Sequence, residues 1–264
     1  MSLVPVDDRG LALGDGLFET LLADGGLLEF FDAHAARLAA ACAALLLPAP
    51  SAPDLQAAAL SALEAKGLEK GRAAVRLSWT AGSGGRGLDR PTDPSPRLLA
   101  MAAPAPDNPQ AQFTLAIASV TRNQTSPTSR FKTLSYLDNV VARRQARLAG
   151  ADEALMLNGQ GEVCCAAAAN VFWSKGGRLY TPALGCGVLD GIMRGAVMAA
   201  SAEIGVEVVE IAASPRRLEG AALFLTNSLI GLCPVTALDG RPLLRDVRLQ
   251  QALQTTLGDL RGRR

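Results

Sequence analysis

The chain has 264 residues, 49% of them hydrophobic and 19% charged, a balance that excludes general disorder, in which charge would dominate. Its 26 basic and 25 acidic side chains leave a formal net charge of +1, too little to hold a polyanion, so no nucleic acid partner is expected. Five cysteines without a Cys-x-x-Cys pair, and a single histidine, His34, exclude a disulfide framework, a zinc ribbon and a histidine-rich metal site, so no metal is expected.

From Asp32, a candidate N-cap, apolar positions Leu38, Ala41, Cys42, Leu45 and Leu46 recur at helical spacing until Pro48. The uncharged stretch Leu38 to Pro53 is broken by prolines and falls short of the ~18 to 20 apolar residues of a bilayer crossing. No basic-then-apolar leader opens the chain. Neither a membrane partner nor export is expected, and the cytoplasm is the default compartment.

A second helix is predicted from about Pro53 to Lys66, closed by Gly67, followed by a strand in which Val75, Leu77 and Trp79 alternate with polar or small residues. The three prolines of 102–109 have the composition of a linker, which divides a smaller domain, 1–103, from a linker, 104–112, and a larger domain, 113–264. In the larger domain Phe113, Leu115 and Ile117 read as a strand, and Leu137, Val140, Val141 and Leu148 as a helix ending at Gly150. Successive strands from Ala154 to about Tyr180 turn at Lys175-Gly176-Gly177. An amphipathic helix through Met193, Val197, Ala200 and Ile204 precedes two strand-like runs, Val206 to Ile211 and Ala222 to Thr226. A final helix carries Leu249, Leu253, Leu257 and Leu260.

Of only four lysines, Lys132 alone has an apolar setting. Desolvation and neighbouring Arg130 would favour its neutral amine, the form that attacks carbonyls or removes a carbon-bound proton, although a lysine stem crossing apolar surface fits the same pattern. Gly191-Ile192-Met193 opens the amphipathic helix, where free amides suit either an anion or water. Thr226-Asn227-Ser228 interrupts the apolar run Leu223 to Val235 and is either a donor cluster or a side-chain-capped turn. Arg86, in the glycine-rich segment 82–87, suits a carboxylate that its planar fork holds with two bonds; the alternative is a mobile surface loop. Without a following Gly-Lys-Ser/Thr, this loop is not a P-loop.

In order along nearly the whole chain, these pieces resemble the fold-type IV pyridoxal phosphate enzymes, the family of branched-chain and D-amino acid aminotransferases and 4-amino-4-deoxychorismate lyase. The matching motifs are Asp8-Arg9-Gly10-Leu11-Ala12-Leu13-Gly14-Asp15-Gly16-Leu17-Phe18-Glu19-Thr20, His34-Ala35-Ala36-Arg37-Leu38, Phe131-Lys132-Thr133-Leu134 ahead of Asp152-Glu153-Ala154-Leu155, Asn170-Val171-Phe172-Trp173, Gly191-Ile192-Met193-Arg194 and Asn227-Ser228. The resemblance implies an α+β, two-domain, D-amino acid aminotransferase-like fold that binds pyridoxal 5'-phosphate. It makes Lys132, carried by the larger domain, the Schiff-base and catalytic lysine. Arg37 inherits the grip on the cofactor phosphate, shared with the amides of Ile192 and Met193 and with Asn227 and Ser228, while Asn170 joins the cofactor shell. It further implies a homodimer with sites near the subunit interface and a small amino substrate bearing carboxylates.

Within the family, Gly82-Ser83-Gly84-Gly85-Arg86-Gly87 and Phe224-Leu225-Thr226-Asn227-Ser228-Leu229 are similar to the lyase, and the Arg-x-His clamp of D-amino acid aminotransferases is absent. Two departures stand out. Five residues before Asn170, where relatives pair a glutamate with the pyridine nitrogen, this chain has Cys165, and Glu162 is expected to face the other way. Ala81 stands where lyase relatives often carry an arginine. A thiol is a poorer partner for a pyridinium, so transamination should suffer most. The reading that follows is a lyase forming 4-aminobenzoate and pyruvate for folate synthesis, with Arg86 on a substrate carboxylate. An aminotransferase acting on D- or branched-chain amino acids and a non-catalytic cofactor-binding homologue are the alternatives.

Overall fold

The computed structural model describes residues 4–106 and 112–262, which divide into two units. Unit one comprises 1–107 together with 131–136, and unit two comprises 108–130 and 137–264.

Unit one opens with α1 (Arg9–Leu13), capped by the Asp8 side chain, and continues through β1 (Gly16–Asp24), β2 (Leu27–Leu28), α2 (Phe31–Ala44), α3 (Ala52–Glu64), β3 (Arg72–Thr80) and β4 (Arg97–Pro104). The strands form an antiparallel sheet in the order β2-β1-β3-β4. Period-two alternation sends Leu17, Leu21 and Ala23 of β1 and Ala73, Val75 and Leu77 of β3 into one core with Leu38, Ala41 and Cys42 of α2 and Leu55, Ala59 and Leu63 of α3. Each fully buried leucine there contributes about 1.5–3 kcal/mol. Phe18, Thr20 and Arg76 consequently share the opposite face, Thr20 and Arg76 being register partners.

Three sequence expectations shift. Helix α2 starts at Phe31 behind Phe30, whose φ of 54° ends the preceding turn, so Asp32 lies in the first helical turn rather than at the cap. There its charge still meets the positive end of the helix dipole. The stretch read as the start of a linker is strand up to Pro104, which pairs with Ala73. Of the remaining linker, 105–106 and 112 are neither helix nor strand, and 107–111 lies outside the described residues. The 131–136 segment, assigned from sequence to the second domain, groups with unit one. Phe18 donates its N–H to the Lys132 carbonyl (2.8 Å), and Leu134 donates to that of Gly16 (2.9 Å). Gly16 permits this approach, because a Cβ there would stand 2.5 Å from the Trp79 carbonyl oxygen and 2.8 Å from Leu134.

Unit two contains β5 (Phe113–Arg122), α4 (Pro127–Arg130), α5 (Leu137–Leu148), β6 (Glu153–Asn158), β7 (Val163–Ala166), β8 (Asn170–Lys175), β9 (Arg178–Pro182), α6 (Ile192–Glu203), β10 (Val208–Ile211), β11 (Ala222–Asn227), β12 (Gly231–Leu238), β13 (Arg241–Pro242) and α7 (Val247–Gly262). Its mixed sheet runs β10-β9-β8-β11-β12-β5-β6-β7, with β13 beside β12. Ala142 and Ala146 of α5 pack on β5 and β6, while α6 packs against α7. Trp173, fully buried on β8, stacks on Tyr180 at a centroid separation of 5.7 Å. Truncating Trp173→Ala is expected to destabilise the protein by about 3–5 kcal/mol, against less than about 0.5 kcal/mol for exposed Leu148→Ala; urea unfolding midpoints measure both.

Candidate active site

Within unit one, the short backbone bridge to β1 holds Lys132 so that its Nζ lies 4.2 Å from the Phe18 ring centroid and 5.4 Å from that of Tyr136. The two rings meet edge to face at 5.1 Å. The Arg76 guanidinium sits 3.6 Å from the same Phe18 centroid, so two cations share one aromatic platform. Burial pulls Arg76 below the usual arginine range, with Tyr136 opposing the shift.

On the core face of β1, Glu19 is buried together with His34 of α2. His34 Nδ1 lies 2.7 Å from Glu19 Oε2, while Arg37 donates from Nε to Oε1 at 2.8 Å and from Nη2 to Oε2 at 2.5 Å. Burial alone would raise the Glu19 carboxyl, but the bonds from His34 and Arg37 outweigh it and hold the group at about 2. Burial lowers His34 despite the attraction of Glu19. The histidine is therefore neutral at pH 7 and donates its Nδ1 hydrogen to the carboxylate. The sequence singled out Arg37 but not Glu19, the side chain that orients it; Glu19 lay inside a quoted motif with no sign of its partners.

Arg86 is exposed, as a loop residue should be, but the loop is organised by a residue to which sequence gave no role. Buried Arg9 donates to the carbonyls of Leu88 (2.8 Å), Asp89 (2.9 Å), Gly84 (3.4 Å) and Gly87 (3.4 Å) while its Nε holds Asp15. Ala81 is fully buried in the unit-one core.

In unit two, α6 starts at Gly191 without a side-chain cap. A Cβ at 191 would stand 2.0 Å from Asn170 Oδ1, and Asn170 donates to the Leu189 carbonyl, so Asn170 at the start of β8 fixes the approach to Ile192 and Met193. Thr226 pairs with Asn170 across β8 and β11, which brings Asn227 to the same end of the sheet. Asn227 donates to the Ala168 carbonyl and accepts from the amides of Leu229 and Ile230, so it shapes the turn that carries Ser228. Arg194 is buried and pinned by Glu210 (2.5 Å) and Asp190 (3.2 Å), anchoring the start of α6 to its neighbours.

Cys165 is buried on β7 opposite Met156. Burial pushes its thiol up, and neighbouring Arg122 pulls the other way without prevailing. Glu162 accepts from the Asn158 amide at 2.7 Å in the β6–β7 turn. Among the described residues, no cluster of three or more His, Cys, Asp or Glu forms a metal site, and no helix is long and apolar enough to cross a membrane.

A family model described as Amino-transferase class IV matches residues 16–238. The chain is 32% identical over 244 residues (90% of this chain, 83% of the relative) to a Methanocaldococcus jannaschii protein provisionally named branched-chain-amino-acid aminotransferase. Aminodeoxychorismate lyase of Bacillus subtilis is 29% identical over 240 residues, covering 88% of this chain and 80% of that one. A solved structure from Legionella pneumophila, provisionally described as 4-amino-4-deoxychorismate lyase, superposes with a TM-score of 0.90 at 27% identity, covering 98% of this chain and 96% of that one.

The buried triad generates a prediction with a definite sign. Because the folded Glu19 carboxyl lies below its ordinary 4.5, its contribution is complete above that value and is lost as pH falls toward about 2. Glu19→Ala should cost about 3–5 kcal/mol at pH 7 by leaving Arg37 without its buried partner, and the penalty should shrink on acidification; denaturant titrations at several pH values measure it.

Proposed function

The chain belongs to the Amino-transferase class IV family, and from that membership we propose that it is a pyridoxal phosphate-dependent 4-amino-4-deoxychorismate lyase yielding 4-aminobenzoate and pyruvate. The observation that carries the enzyme reading is the Lys132 amine, set against Phe18 and Tyr136 by the backbone bonds that the Lys132 carbonyl and the Leu134 N–H make to β1. The residues also suit the cofactor at its anionic end. The uncapped start of α6, closed to any side chain at Gly191, offers amides of Ile192 and Met193 to a phosphate, with Ser228 on the turn shaped by Asn227. Arg37, oriented by Glu19, is the cation assigned to the same phosphate.

Pyridoxal phosphate supplies an aldehyde that captures the substrate amine and a ring that accepts electron density from the adjoining carbon. Lys132 anchors the cofactor at rest. The freed Nζ would take the proton from the substrate ring carbon that bears nitrogen. The electron pair of that carbon–hydrogen bond would complete the aromatic ring as the ring carbon–oxygen bond breaks, and the departing enolpyruvate would take up the proton held on Lys132 to give pyruvate. Arg86 holds a substrate carboxylate, and Arg76, beside Lys132 on Phe18, supplies a second cation where Ala81 provides none.

The uncharged, buried thiol of Cys165 favours the lyase over a transaminase, since aromatisation drives the lyase reaction without prolonged storage of charge on the cofactor. The Methanocaldococcus relative favours an aminotransferase acting on branched-chain amino acids as the second reading. A cytoplasmic homodimer serving folate synthesis belongs to the leading proposal.

Borohydride reduction of the cofactor-loaded protein should bleach its visible band and leave the label on Lys132 by mass spectrometry. Lys132→Ala should lower 4-aminobenzoate release at least about 10²-fold, and Arg86→Ala should raise KM about 10- to 100-fold with less effect on kcat. Accumulation of pyridoxamine phosphate with a branched-chain amino acid, and no 4-aminobenzoate from aminodeoxychorismate, would sink the lyase and leave the transaminase.

A further inference from the structure

We propose that Cys165 and Arg122 hold the ring nitrogen of bound pyridoxal phosphate in its unprotonated form, and that this neutral ring biases the enzyme toward elimination and away from amino-group transfer. The inference rests on the cofactor reading above and concerns side chains of unit two alone. Segment 165–170 is tied down at both groups assigned to the cofactor's phosphate end: Asn227 donates to the Ala168 carbonyl, and Asn170 donates to the Leu189 carbonyl ahead of α6. Cys165 heads that segment, at the position from which the resemblance points a partner toward the ring nitrogen.

Three groups decide what that partner can do. The Cys165 side chain is 6% exposed and has no hydrogen-bond partner among the described residues, and its burial keeps the thiol neutral. Arg122 is itself buried and stands on β5 opposite Asn158 of β6, two residues along from Met156, which is the register partner of Cys165. Its Nε donates to the Gly187 carbonyl and its Nη2 to that of Ser129, both at 2.6 Å, so neutral oxygens hold it and, among the described residues, it forms no ion pair. Glu153, the carboxylate that Cys165 feels, is already taken by the Arg143 guanidinium and by its neighbour's amide at Ala154.

A ring nitrogen placed here meets a neutral thiol, an uncompensated guanidinium and a carboxylate whose charge is balanced elsewhere. Protonating it would set a second positive charge near Arg122 in a poorly solvated region, which Coulomb repulsion and desolvation both oppose. The unprotonated nitrogen, by contrast, can accept the weak S–H donor of Cys165. A neutral pyridine withdraws electrons less than a pyridinium, so negative charge on the substrate carbon is short-lived. It is relieved faster by loss of a leaving group than by reprotonation on the cofactor.

The test loads the full-length protein with pyridoxal phosphate labelled with ¹⁵N at the ring nitrogen and records its ¹⁵N resonance at neutral pH, after reductive mapping has shown the adduct on Lys132. Wild type is expected to resonate in the neutral-pyridine range. Cys165→Glu should move the signal into the pyridinium range, whereas Cys165→Ser, uncharged and close in size, should leave it with wild type and guards against misfolding of the glutamate variant. A wild-type pyridinium resonance with the adduct on Lys132 would overturn this inference alone. Absence of any Lys132 adduct would overturn the cofactor reading, and this inference with it.

Discussion

A carboxylate can remain ionised inside an apolar core only if other groups satisfy it completely, and Glu19 meets that condition through His34 and Arg37. The pairing locks the register of β1 against α2. A slip of one residue would turn Glu19 toward the other face and bring Phe18 into the core, stripping the aromatic platform from Lys132 and Arg76. The same strand therefore joins two demands: its inner face holds the cation assigned to phosphate, and its outer face presents the amine assigned to catalysis.

The strand's edges carry the second constraint. Lys132 is brought to β1 by two backbone hydrogen bonds, one to its own carbonyl and one from Leu134, over a chain separation of more than a hundred residues, and Gly16 leaves room for the approach. Placement of the lysine assigned to catalysis thus depends on main-chain pairing, which tolerates side-chain variation, and on one position where side chains are sterically barred.

Periodicity made several elements legible in advance. The spacing of Leu38, Ala41 and Cys42 announced α2, alternation about Val75 and Leu77 announced β3, and the glycine before Ile192 marked the start of α6. What sequence could not disclose were partnerships between distant residues. Nothing near Lys132 shows that its segment pairs with β1, so composition gave it to the larger domain while its contacts group it with unit one. Pro104 looked like linker because its strand partner, Ala73, lies far upstream. Arg76 read as the polar side of an alternating strand, and Arg9 and Arg122 were invisible as organisers because each binds carbonyl oxygens, which every residue possesses.

That last property bears on how the Arg9-bound loop could diversify. A single guanidinium gathers the carbonyls of Gly84, Gly87, Leu88 and Asp89 and is insensitive to the side chains they carry. Residues at the tip can therefore change their chemistry while the path of the backbone is conserved. The glycines are the exception: Gly84 and Gly87 hold φ of 98° and 60°, which favour glycine, and a Cβ at Gly85 would meet the Asp89 carbonyl oxygen at 2.1 Å. The loop thus resembles an exchangeable face on a fixed mount, with positions 86 and 88 open to variation and with Arg9 and the loop glycines as the residues to leave untouched.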